Sequence, residues 1–195
     1  DGHDLVASAS IGIAVYPADG DDVSTLLKHA DVAMYCAKDQ GRNAYHYFKP
    51  EMDVHALERL MLENALRRAV DRDELVLHYQ PQVAADDGRV SGCEALVRWQ
   101  HPELGLLQPG QFIAVAESSG LIVPLGHWVL RTACRQLARW QAQGRKLLMA
   151  VNISALQFRQ SGFYDGVCEV LRQTGADPAG LELELTESAL MEPTP

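Results

Sequence analysis

The stretch LLMAVNI at residues 147–153 is a nearly continuous apolar run that carries one polar side chain, Asn152, next to its end. Such a run predicts a buried strand, and buried strands of this composition are typical of parallel sheets. Two further strands are predicted from VSGCEALVRW at 90–99 and LELELT at 181–186. Each of the three contains a polar residue that packing alone would not select.

Helical patterns lie between these strands. The predicted helices cover residues 109–118, 123–143 and 162–174. A helix over 54–70 and a strand over 75–83 precede them. Helices that recur between apolar strands indicate βα units, so the sequence predicts an α/β fold with a largely parallel sheet.

The first fifty residues form a separate pattern. It consists of a strand over 5–16, a helix over 22–39 and a short strand over 44–48. Gly41 is well placed to end the helix, and Pro50 interrupts the pattern near 49–53. Two strands and one helix cannot close a core of their own, so we expect this segment to be the end of another α/β domain.

Composition excludes several classes of protein. The 195 residues are 47% hydrophobic and 22% charged, which is an ordinary globular mixture. The net charge of −9 repels duplex phosphate, so binding to duplex nucleic acid is not expected. No apolar run approaches the roughly 20 residues of a membrane helix, and no signal peptide opens the sequence. The widely spaced cysteines predict reduced thiols in the cytoplasm; they are Cys36, Cys93, Cys134 and Cys168.

The polar residues of the three strands suggest a metal site. They are Glu94, Asn152 and Glu184. In parallel α/β folds, chemistry collects at the carboxyl ends of the strands. Two carboxylates and one amide oxygen are hard ligands of the kind that suits Mg²⁺ or Mn²⁺. A cation would also allow two neighbouring carboxylates to stay ionised together.

Each of these residues also has a purely structural interpretation. Glu182 and Glu184 lie on one side of an alternating strand, a pattern that is typical of a solvated face. Asn152 alone would more often form a turn or bond the backbone. Glu94 has the strongest case for a function, because apolar residues surround it in the sequence.

Two more polar residues lie near the predicted metal site. Arg98 follows Glu94 by four residues, which places both on the same side of an extended strand. Its guanidinium is suited to a phosphate oxygen, and the structural alternative is a salt bridge with Glu94. Gln80, just before Pro81, is suited to bind a base or ribose or, alternatively, to cap its strand.

Other catalytic motifs are missing from the sequence. The seven histidines show no HExxH or similar metal spacing, and we interpret them as surface or structural residues. The sequence has no nucleophile elbow around a serine and no glycine-rich phosphate loop of the GxxxxGK type. The three tryptophans, Trp99, Trp128 and Trp140, are interpreted as core or interface residues.

Several ordered strings in residues 57–195 resemble one known family. The matching segments are YQP at 79–81, EALVRW at 94–99, HP at 101–102, LLQPGQFI at 106–113, AE at 116–117, GLI at 120–122, VNIS at 151–154 with Gln157, and ELTES at 184–188. Together they resemble the first half of an EAL domain, the phosphodiesterase module that hydrolyses the bacterial second messenger cyclic di-GMP.

The beginning of the sequence is similar to a second family. The strings SIGIAVYP at 10–17 and ADVAMYCAKDQGRNAYHYF at 30–48 resemble the end of a GGDEF domain, the diguanylate cyclase module that often precedes EAL. The resemblance therefore implies a GGDEF remnant over residues 1–49, followed by the N-terminal part of an EAL domain over 54–195.

The resemblance to EAL domains implies a role for individual residues. Glu94, Asn152 and Glu184 match metal ligands of the family. Arg98 matches a residue that contacts a substrate phosphate, and Gln80 matches one in the substrate groove. A last position, Glu187, matches a residue that helps to order a loop near the metals.

The implied reaction is metal-assisted hydrolysis of cyclic di-GMP to linear pGpG. Divalent ions, Mg²⁺ or Mn²⁺, would lower the pKa of a bound water and stabilise charge at phosphorus. Family analogy also implies a homodimer. The alternative is a non-catalytic EAL domain that binds cyclic di-GMP as a receptor or regulator.

The resemblance also implies that the second domain is incomplete. A full βα barrel has about 250 residues, so the expected architecture is an incomplete TIM-like barrel cut from a longer two-domain protein. The family's later elements include an Asp-Asp strand end, a lysine and a glutamine-containing loop, and this sequence does not contain them. We therefore expect no turnover from residues 1–195 alone.

Overall fold

The structure is a computed structural model that describes residues 8–39 and 43–185. The chain divides into two compact units, Asp1–Leu62 and Glu63–Pro195. The predicted metal-binding and substrate-binding residues that the structure describes all belong to the second unit.

The first unit is a small βαβ arrangement. Its elements are strand β1 (Ile11–Ile13), helix α1 (Val23–Asp39) and strand β2 (Tyr45–Tyr47). The two strands pair in parallel, and the helix and second strand confirm the predicted ranges. At Gly12, a Cβ atom would overlap the backbone of α1 at Ala30 and Met34, so only glycine allows this close packing. The predicted helix end at Gly41 lies outside the described residues.

Helix α2 begins earlier than predicted. It spans Pro50–Ala69 and not 54–70, so the interpretation of Pro50 as an interruption was wrong. Proline is tolerated in the first helical turn because the N–H groups there have no intrahelical acceptor. Glu51 and Asp53 lie in the same turn, where their negative charges interact favourably with the positive end of the helix dipole. The division between the two compact units falls inside α2, directly after Leu62, and the domain boundaries at residues 49 and 54 stay a prediction.

The second unit is built on one open sheet. Its strands are β3 (Leu75–Val83), β4 (Val90–His101), β5 (Gly105–Leu107), β6 (Leu148–Ile153) and β7 (Leu181–Leu185). They are arranged in the order β3-β4-β6-β7, and β5 also pairs with β4. The helices are α3 (Pro109–Ser118), α4 (Ile122–Ala142), α5 (Ala155–Phe158) and α6 (Phe163–Thr174), with a 3₁₀ turn at Pro178–Gly180.

The sheet confirms the α/β class but is less parallel than predicted. β4, β6 and β7 are parallel neighbours, whereas β3 and β5 pair with β4 in the antiparallel direction. The connections over residues 84–89 and 102–104 are too short for a crossover, which forces the antiparallel pairing. The short elements β5 and α5 were not predicted. An open α/β sheet of this kind is consistent with an incomplete TIM-like barrel.

The two faces of the sheet differ in chemistry. On one face, apolar side chains pack against α4 and α6; they include Cys93, Ala95, Met149, Val151 and Ile153. Alternation along the strands places Glu94, Asn152 and Glu184 on the opposite face. The helix-covered face is therefore the core of the unit, and the other face is free to carry polar chemistry.

Trp99 anchors the end of β4. The side chain is fully buried, and its Nε1 donates a hydrogen bond to Glu74 Oε2 at 3.0 Å. The ring lies edge-on to Phe112 of α3, with centroids 5.7 Å apart. Trp99 thus joins β4 to the first helix that follows it and confirms the predicted core position.

We expect Trp99→Ala to reduce the free energy of unfolding by about 3–5 kcal/mol, since it removes a buried ring and leaves a cavity. Trp99→Phe keeps most of the apolar contact and loses the hydrogen bond to Glu74, at a cost of about 1–2 kcal/mol. Urea unfolding of the full-length protein, followed by circular dichroism, measures both. The control is Tyr164→Ala, because Tyr164 is 76% exposed and its removal should change stability by about 0.5 kcal/mol or less.

Candidate active site

The register of the strands brings the predicted site residues together. In the parallel pair β6–β7, Asn152 lies beside Glu184. In the antiparallel pair β3–β4, Gln80 lies opposite Glu94. Glu94 is in turn beside Ala150, which precedes Asn152 by two residues and shares its face. Four polar residues from four adjacent strands therefore occupy one region of one face.

A direct hydrogen bond joins two of the predicted ligands. The Asn152 amide donates from Nδ2 to Glu94 Oε1 at 2.6 Å. The side chain of Asn152 thus reaches across the sheet to a carboxylate, so the interpretation of Asn152 as a turn-forming or backbone-bonding residue was wrong. The amide also carries an oxygen, which is the type of atom that a hard cation accepts as a ligand.

Glu184 lies in an unfavourable environment for a negative charge. Burial, and after it the charges of Glu94 and Glu182, raise the pKa of Glu184 above its ordinary value. The two predicted carboxylate ligands therefore repel each other in the absence of a cation. A divalent ion placed between them would remove this repulsion.

The neighbouring acid Glu182 behaves differently from Glu184. Its side chain is exposed, whereas Glu184 is partly buried. The solvated-face interpretation therefore fits Glu182, whereas Glu184, two residues further along on the same side of the strand, is only partly exposed.

Arg98 and Gln80 flank the carboxylates on the same face. The Arg98 guanidinium donates to the Val97 carbonyl at 2.8 Å, and within residues 8–39 and 43–185 it forms no ion pair with Glu94. Gln80 is exposed, and β3 continues for three residues beyond it. The strand-capping interpretation of Gln80 was therefore wrong, and Pro81 is tolerated because β3 is at the edge of the sheet.

The donor set fits a hard divalent cation. Glu94 and Glu184 carry carboxylate oxygens and Asn152 carries an amide oxygen, and burial together with the neighbouring charges of Glu94 and Glu182 raises the pKa of Glu184. Among the described residues, no group of three or more His, Cys, Asp or Glu side chains is arranged to hold a metal. Two carboxylates and an amide form a different kind of set. Glu187 lies outside the described residues.

Two buried thiols and one imidazole in the described chain have packing roles. Cys93 and Cys134 are buried, and burial raises the pKa of the Cys134 thiol to about 11. Cys93, Cys134 and Cys168 are free thiols. His29 stacks on Phe48 with ring centroids 3.9 Å apart, and its Nε2 lies 3.2 Å from Asp53 Oδ2. This histidine is structural, as the sequence indicated.

Sequence reasoning gave no role to Gly126. In the structure it lies in the second turn of α4, against the buried side chain of Gln157. The available signal was an isolated glycine inside a helical pattern, which often marks a close approach. In the sequence, Gln157 stands out only because it belongs to the family motif that begins with VNIS.

None of the helices in the described part of the chain is both long enough and apolar enough to span a membrane.

Two family models match the chain. The EAL domain model matches residues 63–194, and the model described as "Diguanylate cyclase, GGDEF domain" matches residues 1–44. These matches confirm both resemblances found in the sequence.

Two curated relatives are named for cyclic di-GMP phosphodiesterase activity, and one of them also for diguanylate cyclase activity. The chain is 50% identical over 190 residues to the bifunctional diguanylate cyclase/cyclic di-GMP phosphodiesterase MucR of Pseudomonas aeruginosa, covering 97% of this chain and 28% of MucR. It is 45% identical over 189 residues to the cyclic di-GMP phosphodiesterase PdeR of Escherichia coli, covering 97% of this chain and 28% of PdeR. The chain thus spans about a quarter of the length of these relatives.

Solved structures of EAL proteins share the fold. The PaMucR phosphodiesterase in complex with c-di-GMP is 49% identical with a TM-score of 0.66, over 68% of this chain and 54% of that chain. The cGMP-bound EAL enzyme Bd1971 is 28% identical with a TM-score of 0.66, over 89% of this chain and 45% of that chain. Because the EAL model covers more than half of the sequence, the chain belongs to the EAL domain family, with a GGDEF match at its start.

Proposed function

We propose that the protein containing this chain hydrolyses cyclic di-GMP to linear pGpG at the face formed by Glu94, Asn152 and Glu184. The observation that carries the proposal is the hydrogen bond from Asn152 to Glu94, combined with the raised pKa of Glu184. It supports a compact, oxygen-rich site with excess negative charge. The named activities of MucR and PdeR support the choice of substrate.

Glu94, Asn152 and Glu184 would hold Mg²⁺ or Mn²⁺ through their oxygen atoms. When bound, such an ion supplies positive charge at the phosphorus centre and a water of lowered pKa. To act as a ligand through its oxygen, Asn152 would turn its amide so that Nδ2 no longer faces Glu94. The Glu94 carboxylate would then lose the hydrogen bond from Asn152 Nδ2 and would contact the cation in its place.

Arg98 and Gln80 would bind the substrate beside the metal ligands. Arg98 lies on the same face as Glu94, and a guanidinium can donate two parallel hydrogen bonds to non-bridging phosphate oxygens. Its hydrogen bond to the Val97 carbonyl uses Nη1, so other N–H groups are available for phosphate. Gln80 is exposed opposite Glu94 and carries both a donor and an acceptor for a base or ribose.

The proposed reaction is hydrolysis of one phosphodiester bond of the ring. The water oxygen forms a bond to phosphorus, the bond from phosphorus to the 3′-oxygen breaks, and a proton is transferred to that oxygen. The product is a linear dinucleotide with a 5′-phosphate and a free 3′-hydroxyl. No oxidant or reductant is required.

We expect Glu94→Gln to reduce hydrolysis by about 100-fold or more, since it removes a charged ligand of an ion that contributes several kcal/mol. The measurement is pGpG formation from cyclic di-GMP by the full-length protein with Mg²⁺ or Mn²⁺. Glu182→Gln is the matched control, because it removes an exposed carboxylate from the same face. Its rate should stay within about tenfold of the unsubstituted protein.

Two results would contradict the proposed activity. One is a Glu94→Gln protein that hydrolyses cyclic di-GMP at the unsubstituted rate. The other is an unsubstituted protein that binds cyclic di-GMP with either metal and forms no pGpG, which is the behaviour of the non-catalytic receptor. The predicted homodimer, cytoplasmic location and lack of turnover by residues 1–195 alone stay predictions.

We expect Glu184→Gln to stabilise the protein in the absence of a divalent cation and to reduce the stabilisation that a divalent cation gives. Because the pKa of Glu184 is raised, its ionised form opposes folding at neutral pH, and the neutral amide removes that penalty. The substitution should therefore raise the melting temperature in EDTA. With Mg²⁺ at 100 times its Kd, the unsubstituted protein gains about 2.7 kcal/mol, and the variant should gain less. Thermal unfolding of the full-length protein measures both, and a lower melting temperature of the variant in EDTA would contradict the expected repulsion.

A further inference from the structure

We propose that Gln157 is a positioning residue for Asn152 and that Gly126 of α4 holds it in place. The inference rests on the proposed function, in which Asn152 is a metal ligand. Within residues 8–39 and 43–185, neither residue forms a hydrogen bond with Glu94 or Glu184. Their effect would pass through the backbone that follows β6.

The side chain of Gln157 is enclosed by the protein. Of the described residues, it is the one polar or charged side chain that is buried, with 6% of its surface exposed. It closes a capping box at the start of α5. The Ser154 N–H donates to Gln157 Oε1 at 3.2 Å, and the Gln157 N–H donates to Ser154 Oγ at 3.2 Å.

The capping box begins directly behind the candidate ligand. β6 ends at Ile153, so Ser154 is two residues after Asn152. At this point the chain leaves the sheet and turns into α5. The two hydrogen bonds of the box set the direction of that turn, and therefore the orientation of the backbone at the end of β6.

Gly126 gives the box a fixed support. A Cβ atom at Gly126 would overlap Nε2 and Cδ of Gln157 and lie 2.7 Å from its Oε1. The carboxamide of Gln157 thus packs directly against the Cα of Gly126 in α4, the helix that covers the apolar face of the sheet. Glycine inside a helix costs about 1 kcal/mol relative to alanine, and this contact is a physical reason for its presence.

In the absence of a cation, the amide of Asn152 reaches Glu94 on β4. The backbone behind Asn152 is fixed separately, through Ser154, Gln157 and Gly126 to α4. Ligand geometry tolerates errors of only about 0.5 Å, and loss of a supporting residue outside the ligand set typically lowers metal affinity by about 10–100-fold. Gln157 would supply such support without contacting the metal.

The test is a calorimetric titration of the full-length protein with Mg²⁺, together with thermal unfolding in EDTA. We expect Gln157→Ala and Gly126→Ala each to weaken Mg²⁺ binding by about 10–100-fold. Two matched controls should bind within about twofold of the unsubstituted protein. Gln160→Ala removes an exposed glutamine close to α5. Gly166→Ala adds a Cβ inside α6 that would meet no described atom within 4 Å apart from the adjoining residues and backbone of its own helix.

The double variant Gly126→Ala/Gln157→Ala separates positioning from simple overlap. Removing the Gln157 side chain relieves its clash with the new Cβ, so the melting temperature in EDTA should recover relative to Gly126→Ala. The Mg²⁺ affinity should stay low, because the capping box is still missing. Recovery of affinity in the double variant would overturn the inference. If Gly126→Ala does not fold, the comparison of Gln157→Ala with Gln160→Ala is the test.

The outcomes distinguish this inference from the proposed function. If the unsubstituted protein binds Mg²⁺, Glu94→Gln does not, and Gln157→Ala binds as tightly as the unsubstituted protein, only the inference is overturned. A lower melting temperature for Gln157→Ala with unchanged Mg²⁺ affinity likewise overturns the inference alone. If the unsubstituted protein binds neither Mg²⁺ nor Mn²⁺, the proposed function is overturned, and the inference with it.

Discussion

The structure of the second unit depends on the parallel register of β4, β6 and β7. That register places Glu94 beside Ala150 and Asn152 beside Glu184. Because side chains alternate along a strand, the same register directs the apolar set of each strand toward α4 and α6. A slip of one residue in β6 would bury Asn152 and expose Val151. The burial of the core and the geometry of the candidate site are therefore fixed by the same constraint.

The site combines like charges that the fold holds close together. Glu94 is partly compensated by the amide N–H of Asn152, whereas Glu184 keeps an unfavourable environment, which is visible as its raised pKa. The repulsion between these carboxylates destabilises the protein when no cation is bound. A divalent cation would relieve the repulsion, which would favour its binding. The residues that support Asn152 differ from the charged site. Gln157 and Gly126 are buried, carry no charge and pack closely against each other.

Most elements could be predicted because their signals are local. The apolar run of β6 and the helical patterns of α3 and α4 are properties of consecutive residues, and their observed bounds agree with prediction to within about one residue. The errors have physical reasons. The interpretation of Pro50 as an interruption was wrong because proline fits a first helical turn. The three-residue strand β5 exists only because β4 offers it a pairing edge, which no local pattern reveals.

The sequence by itself determined the α/β class, the membership of the EAL family and the identity of the polar residues on the strands. It left open whether Asn152 bonds the backbone, whether Arg98 pairs with Glu94, and whether Glu184 belongs to a solvated face. The tertiary structure decided these points, because each depends on which strand lies next to which and in what register. The contact between Gln157 and Gly126 was likewise decided by the tertiary structure. It joins residues 31 positions apart, and contacts between distant segments follow from packing rather than from any local pattern.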